Sequence, residues 1–219
     1  MKTILITGIS RGIGKATAQR FLKNGDFVIG TSTKGVANWK HKNLKIFEFN
    51  LSHSNSIKNC DKKIERLNKK IDVLINNAGI VVEDEINKPT IDTEYLRETL
   101  EVNLIGTINF TEGIIPLMNS KGHIINISSS AGSLNGSYRL NYPAYRISKT
   151  ALNMVTRILA VRLNGKIIVS SVHPGRVKTD MGSLDADMKP EEAAQDIFKL
   201  ANSKIQTGQF WFKGKKFPW

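Results

Sequence analysis

The sequence contains a single cysteine, Cys60, which excludes an internal disulfide. It contains no apolar run of the ~20 residues that cross a bilayer. The first residues enter an apolar run at once, without the blocks of a signal peptide. With the lone thiol, this points to a cytoplasmic protein. The four histidines, His41, His53, His123 and His173, are scattered without metal-ligand spacing, so no metal is expected. There is no internal repeat, low-complexity segment or linker. Acidic residues are scarce: 19 Asp and Glu stand against 32 Lys and Arg, a formal net charge of +13. Such an excess suits nucleic acid, an acidic partner or an anionic cofactor. The lysines fall in Lys40–Lys45, Lys62–Lys70 and Lys213–Lys216 rather than in one block, and no nucleic-acid motif accompanies them. Most therefore read as solvated surface, and neither nucleic acid nor a membrane is an expected partner.

What is present begins at Lys2 to Phe21, KTILITGISRGIGKATAQRF. Ile4, Leu5 and Ile6 read as a strand buried on both faces. Gly8, Gly12 and Gly14 follow, and then Ala16, Ala18, Phe21 and Leu22 at helical spacing. A strand feeding a helix through glycines points unpaired N–H groups at whatever lies above the turn. The helix dipole favours an anion there, and a missing Cβ lets a diphosphate touch the backbone.

Strands are expected at Phe27–Thr31, Leu44–Phe49, Ile71–Ile75, His123–Ile127, Lys166–Val172 and Gln209–Phe212. Helices are expected over Ser54–Lys69, Asp92 to about Asn119 with Pro116 ending or kinking it, Ala144–Leu163, and Pro190 to about Ala201. Cys60 shares the apolar side of the first of these with Ile57, Ile64 and Leu67 and reads as a buried structural thiol. With 40% hydrophobic residues there is enough for a full core. The alternation implies an α/β fold, a Rossmann-type doubly wound parallel β-sheet of about seven strands flanked by helices, in a single domain. Ligands of such sheets bind beyond the carboxyl ends of the strands. The polar residues that follow strands are Gly8–Gly14, Thr33, Asn50, Asn76–Gly79, Ser128–Ser130 and Pro174–Thr179.

Tyr145 and Lys149 are one helical turn apart and share a face. A free tyrosine, with a pKa of about 10, is a poor base near neutrality. A neighbouring ammonium favours the phenolate and lowers that pKa. Ser129 can donate to a carbonyl oxygen. Asn103, inside the apolar pattern LEVNLIGTINF, needs hydrogen-bond partners if buried, for structure or to hold a water for proton relay.

Together these residues resemble the short-chain dehydrogenase/reductase family. The matching segments are Thr7-Gly8-Ile9-Ser10-Arg11-Gly12-Ile13-Gly14, Asn76-Asn77-Ala78-Gly79, Asn103 in NLIG, Ser129 in NISSSAG, Tyr145-Arg146-Ile147-Ser148-Lys149, and Pro174-Gly175 leading to Thr179. They appear in family order and cover essentially the whole chain. The ending GQFWFKGKKFPW, with YPAYRISKTALN, resembles the compact branch related to C-factor and carbonyl-reductase-type proteins. The resemblance implies an oxidoreductase that moves hydride between a nicotinamide and a carbonyl or secondary alcohol. Tyr145 would be its acid/base and Ser129 would polarise the carbonyl. Lys149 would lower the tyrosine pKa and hold the nicotinamide ribose, and Asn103 would order a relay water. Gly8, Ser10, Arg11, Gly12, Ile13 and Gly14 would cradle the dinucleotide. Asn50, Leu51 and Asn77 would line its adenosine side and Val177 and Thr179 the nicotinamide side, and Ala78, Gly79, Pro174 and Gly175 would also bind the cofactor. A cofactor half would span about 1–120 and a catalytic half about 121–219.

No Asp or Glu occurs between Phe27 and Phe47 to bind ribose hydroxyls, whereas Thr33, Lys34 and Arg11 suit a 2′-phosphate. NADP(H) is therefore expected over NAD(H). Asn50 replaces the family's Asp and can still meet an adenine amino group through its carbonyl oxygen. Gly182–Lys189 is the short segment where the family builds a substrate lid. A homodimer or homotetramer is the expected assembly. C-factor-like relatives leave open a regulatory protein with little turnover, against which the intact Ser129, Tyr145 and Lys149 argue.

Overall fold

The computed structural model describes residues 1–82, 90–135, 141–181 and 185–219. The strands are β1 (Thr3–Ile6), β2 (Phe27–Ser32), β3 (Leu44–Glu48), β4 (Ile71–Asn76), β5 (Met118–Ile127), β6 (Ile167–Val172), β7 (Gln209–Phe212) and β8 (Lys215–Lys216). They form one sheet in the order β3-β2-β1-β4-β5-β6-β7-β8, parallel throughout except for the antiparallel β7–β8 pair. β8 is the strand beyond the expected seven. Lys213 and Gly214 both take positive φ, as a two-residue hairpin turn requires, and fold Lys215–Lys216 back on Trp211–Phe212.

The helices are α1 (Gly12–Lys23), α2 (Ser54–Glu65), α3 (Thr93–Leu100), α4 (Thr107–Ile114), α5 (Pro143–Arg162) and α6 (Pro190–Ala201). Strand residues alternate between two cores. Leu5, Leu74, Ile124 and Val169 pack with Cys60, Phe110 and Leu159 of α2, α4 and α5. Ile4, Ile6, Val73, Ile75 and Ile125 pack with Phe21, Leu22, Ile197 and Leu200 of α1 and α6. Among the described residues, no helix is long and apolar enough to cross a membrane.

The long helix expected from Asp92 to Asn119 is four pieces. Asp92 caps α3 by accepting from Glu94 N. A π-helical segment, Glu101–Gly106, joins it to α4, and a 3-10 turn at Ile115–Leu117, which contains Pro116, ends it. β5 then starts at Met118 rather than His123, with a register shift opposite Ile71/Val73.

The chain runs outward from β1 through β2 to β3, then returns to β4 on the other side of β1. The sheet therefore reverses its winding between β1 and β4. The crevice at their carboxyl ends is where such sheets bind ligands.

One buried group makes folding depend on pH. Asp61 on α2 lies against Gly113 on α4, where a methyl group would overlap its carboxylate, and its Oδ1 is buried without a partner. Burial pushes its pKa up from 3.8 to about 7. The folded pKa exceeds the unfolded one, so the protonated acid contributes stability at low pH that is lost as pH rises toward 7. Asp61→Asn should therefore melt higher than wild type at pH 8 and flatten the decline between about pH 4 and 7. A thermal melt series over pH checks this, and a lower melting temperature at pH 8 would refute it.

Candidate active site

The glycine turn carries Gly8 and Gly12 at φ of +74° and +56°. Gly8 N and Ile9 N donate to Thr31 O at the end of β2. Across the crevice, Thr7 Oγ1 accepts from Asn77 N and Ala78 N, both at 2.9 Å. Asn77 Nδ2 donates to Thr7 O and Gly8 O at 2.8 and 3.1 Å. Asn77 thus clamps the turn from β4. Gly14 lies so close to this clamp that a Cβ would overlap Gly8 O and stand 2.5 Å from Asn77 Nδ2.

α1 begins at this turn with no side chain capping it and no acid in its first turn. Its positive end is left for an anion. Arg11, at the cap position, points toward the loop after β6 and pairs with Asp180 at 2.8 Å, both side chains being exposed. Thr33 and Lys34 are exposed at the end of β2. Thr179 packs on Gly12, its Cγ2 3.3 Å from where a Cβ would stand.

Four of the expected residues meet at the carboxyl end of β5. Tyr145 and Lys149 sit in the first two turns of α5, which starts at Pro143. Ser129 follows β5, and its hydroxyl bonds the Tyr145 phenol. Ser129 Oγ also accepts from Ala131 N at 3.1 Å, which fixes the serine at the head of a 3-10 turn. Lys149 is 5% exposed. Its ammonium donates to Ile127 O at 2.8 Å and stands 5.5 Å from the Tyr145 ring centre. Asn103 completes the group: where Gly79 would carry a Cβ, Asn103 Oδ1 is 3.0 Å away and Lys149 Nζ 3.7 Å. The missing side chain keeps the space beside the ammonium open. An uncapped helix end and this gap, both at the carboxyl edge of the sheet, fit an extended dinucleotide whose central diphosphate meets the helix start.

Two expectations change on contact with the geometry, those for Tyr145 and Asn50. Lys149 was expected to lower the tyrosine pKa, but the net shift of Tyr145 is upward. Burial raises it, and the Ser129 hydrogen bond pulls back only part of the way. Burial also pulls Lys149 down, to about 8. The Asn103 side-chain amide is bonded both ways to Ile80, with Oδ1 accepting from Ile80 N at 2.8 Å and Nδ2 donating to Ile80 O at 2.9 Å, which satisfies the structural need of a buried asparagine. Nδ2 also reaches Ser148 Oγ at 3.2 Å, and Ser148 Oγ donates to Tyr145 O at 2.7 Å. Asn50 Oδ1, expected to face adenine, accepts from both Ser52 N and Ser52 Oγ. A short polar residue after a strand turns its own backbone, and its acceptor is spent there.

The structure places the remaining residues as follows. Leu51 is in the core beneath α2 and α4. Ser10 and Ile13 flank the cap of α1, with Ile13 packed on Val177. Pro174 and Gly175 follow β6, and Gly175 N donates to His173 Nδ1 at 3.4 Å. Residues 182–184 of the expected lid lie outside the described residues. Its remainder returns along the Thr179 loop, with Met188 N donating to Arg176 O and Lys178 N to Met188 O. Asp180, Ile80 and Ser148 take part without having been singled out. Ile80 works only through its backbone and leaves no signal in sequence. Among the described residues no group of His, Cys, Asp and Glu could hold a metal ion.

Residues 2–190 match the short chain dehydrogenase family. This chain belongs to the short-chain dehydrogenase/reductase family. As a member it is an oxidoreductase. It is 34% identical over 222 residues to the 3-oxoacyl-(acyl-carrier-protein) reductase of Aquifex aeolicus, covering 95% of this chain and 84% of that one. The NADPH-bound carbonyl reductase from chicken fatty liver superposes with a TM-score of 0.91 at 28% identity, over 100% of this chain and 94% of that one. The carbonyl reductase Sniffer of D. melanogaster gives 0.88 at 28% identity over the whole of both chains.

Proposed function

We propose that this family member is an NADP(H)-dependent reductase of carbonyl compounds, working in reverse on secondary alcohols. The observation that carries the reading is the meeting of Ser129, Tyr145 and Lys149 after β5, at the same carboxyl edge of the sheet as the uncapped start of α1. When bound, the cofactor supplies the hydride. The Ser129 hydroxyl holds the substrate oxygen, and the Tyr145 phenol donates its proton to that oxygen. Burial keeps the phenol protonated at neutral pH, which suits reduction. Lys149, fixed by Ile127 O, places a positive charge beside the phenolate left behind. Its pKa of about 8 lets it hold or pass a proton near neutrality. Asn103 acts by position, tying Ile80 and Ser148 behind the tyrosine. Residues 1–120 form the cofactor half and 121–219 the catalytic half.

The NADP(H) reading is supported by Arg11 at the helix start, by Thr33 and Lys34, and by the NADPH in the chicken liver relative. The single buried thiol suits a cytoplasmic enzyme. Ile147, Met154, Ile158 and Val161 are exposed at helical spacing along α5. We infer that they pack against a second copy, so light scattering should give an even oligomer; a monomer would refute this.

Titration with NADPH and NADH, followed by energy transfer from tryptophan, tests the cofactor. A panel of aldehydes and 3-oxo esters tests the chemistry. NADPH should bind about tenfold tighter than NADH, because only its 2′-phosphate meets Arg11 and Lys34. Preference for NADH would overturn the cofactor assignment. NADPH binding with no turnover on the whole panel would favour a regulatory protein instead, and binding of neither would overturn the reductase reading.

A further inference from the structure

The loops that leave β5 and β6 both end at the candidate site, and one segment beyond β7 holds both. The β7–β8 hairpin returns Phe217 to the sheet, where Phe217 N donates to Phe210 O at 2.7 Å. The Phe217 ring lies 5.1 Å from Phe210, 5.9 Å from Phe212 and 5.6 Å from His173. His173 itself lies 4.8 Å from Phe212, and its Nδ1 receives Gly175 N–H. The cluster therefore fixes the start of the Pro174–Thr179 loop.

Two residues on, the Trp219 ring stacks on Phe210, with centres 5.5 Å apart and planes 26° from parallel. The Arg157 guanidinium of α5 stands 5.7 Å from its centre. The main-chain oxygen of Trp219 accepts from Asn135 N at 3.1 Å. Asn135 ends the stretch that begins at Ser129. Within that stretch Gly132 O accepts from Thr150 and Asn153 of α5, so the base of the loop is held independently at the catalytic helix.

We propose that the strap Phe217–Trp219 is a positioning element for the carbonyl substrate, joining the Ser129–Asn135 loop to the His173–Gly175 loop and setting the gap between them. The idea rests on the reductase reading of Ser129 and Tyr145. Because the base of the first loop is pinned to α5, loss of the strap loosens the outer walls and leaves the Ser129–Tyr145 bond in place. Substrate affinity is then affected and the chemical step is spared. The clamp between β1 and β4 that holds the start of α1 does not touch the strap, and the strap reaches the cofactor side only through His173–Gly175, so cofactor affinity changes far less than substrate affinity.

The test is steady-state kinetics with NADPH and ethyl acetoacetate, below the melting temperature of every variant. Trp219→Ala should raise KM about tenfold, the worth of one ring stack, with kcat near wild type and the NADPH Kd moved by much less than KM. Trp219→Phe keeps a ring on Phe210 and should restore KM. Asn135→Pro deletes the N–H donor while leaving all the rings, and should raise KM like Trp219→Ala; it carries the test where Trp219→Ala fails to fold. An unchanged KM in Asn135→Pro would overturn the proposal. So would a Trp219→Ala variant in which kcat and NADPH affinity fall together with substrate affinity, the mark of general loosening. Should wild type reduce no carbonyl, the reductase reading fails separately, and amide exchange decides about the strap. Faster exchange at Ser133 and Gly175 in Trp219→Ala would support it, and unchanged exchange would overturn it.

Discussion

Tyr145→Phe is expected to lower kcat for carbonyl reduction by about 10²–10⁴-fold while leaving NADPH binding intact. The ring stays, so its packing on α5 and its place beside Lys149 stay with it. Only the hydroxyl that meets Ser129 is lost, at a stability cost of about 1 kcal/mol. The barrier rises because the oxygen that receives hydride must take its proton from water instead of a fixed phenol. Burial makes this phenol a proton donor over the whole neutral range. Wild-type reduction should therefore fall off only where Lys149, at about 8, loses its charge, and not in the acid range. A pH profile of kcat on wild type and of residual activity on Tyr145→Phe reads both effects. Retention of wild-type kcat in Tyr145→Phe would remove Tyr145 from the chemistry.

The order of strands and helices was legible because buried strands such as Ile4–Ile6 and Val73–Ile75 are short unbroken apolar runs between helical patterns. The start of β5 was not. Asn119, Ser120, Lys121 and Gly122 are polar or small, and they join the strand only because Met118 pairs with Ile71 and Gly122 with Ile167 on either side of the register shift. The π-helical turn at Glu101–Gly106 was also hidden, since EVNLIG has the apolar spacing of an ordinary helix. Its reason is visible only in space, where Asn103 must reach Ile80 on the next segment. Site residues on one element or one motif, such as Tyr145 with Lys149, could be placed from spacing alone. What depends on the balance of burial and bonding could not. The upward shift of Tyr145, the Lys149–Ile127 bond and the self-satisfied Asn50 all require the packed interior to be known.

Gly14→Ala should break the cofactor crevice, for a reason that the glycine motif in the sequence does not reveal. At most helical positions this change stabilises, because alanine is the better helix former by about 1 kcal/mol. Here the new methyl would fall on Gly8 O and within 2.5 Å of Asn77 Nδ2. Both are parts of the clamp between β1 and β4, and neither is the free end of a flexible chain. Relief requires the turn to lift away from β4, which breaks the Asn77 bonds to Thr7 O and Gly8 O and moves the N-terminus of α1. Overpacking of this kind costs about 1–3 kcal/mol, so the gain in propensity is outweighed. The melting temperature should fall by several degrees, about 2–4 °C for each kcal/mol at this chain length. NADPH affinity should fall further than stability does, because the displaced N–H groups are those aimed at the diphosphate. A calorimetric melt with a fluorescence titration on the same sample separates the two. A Gly14→Ala protein that melts at or above wild type and binds NADPH as tightly would mean that the turn is not held against β4 as the Asn77 bonds place it.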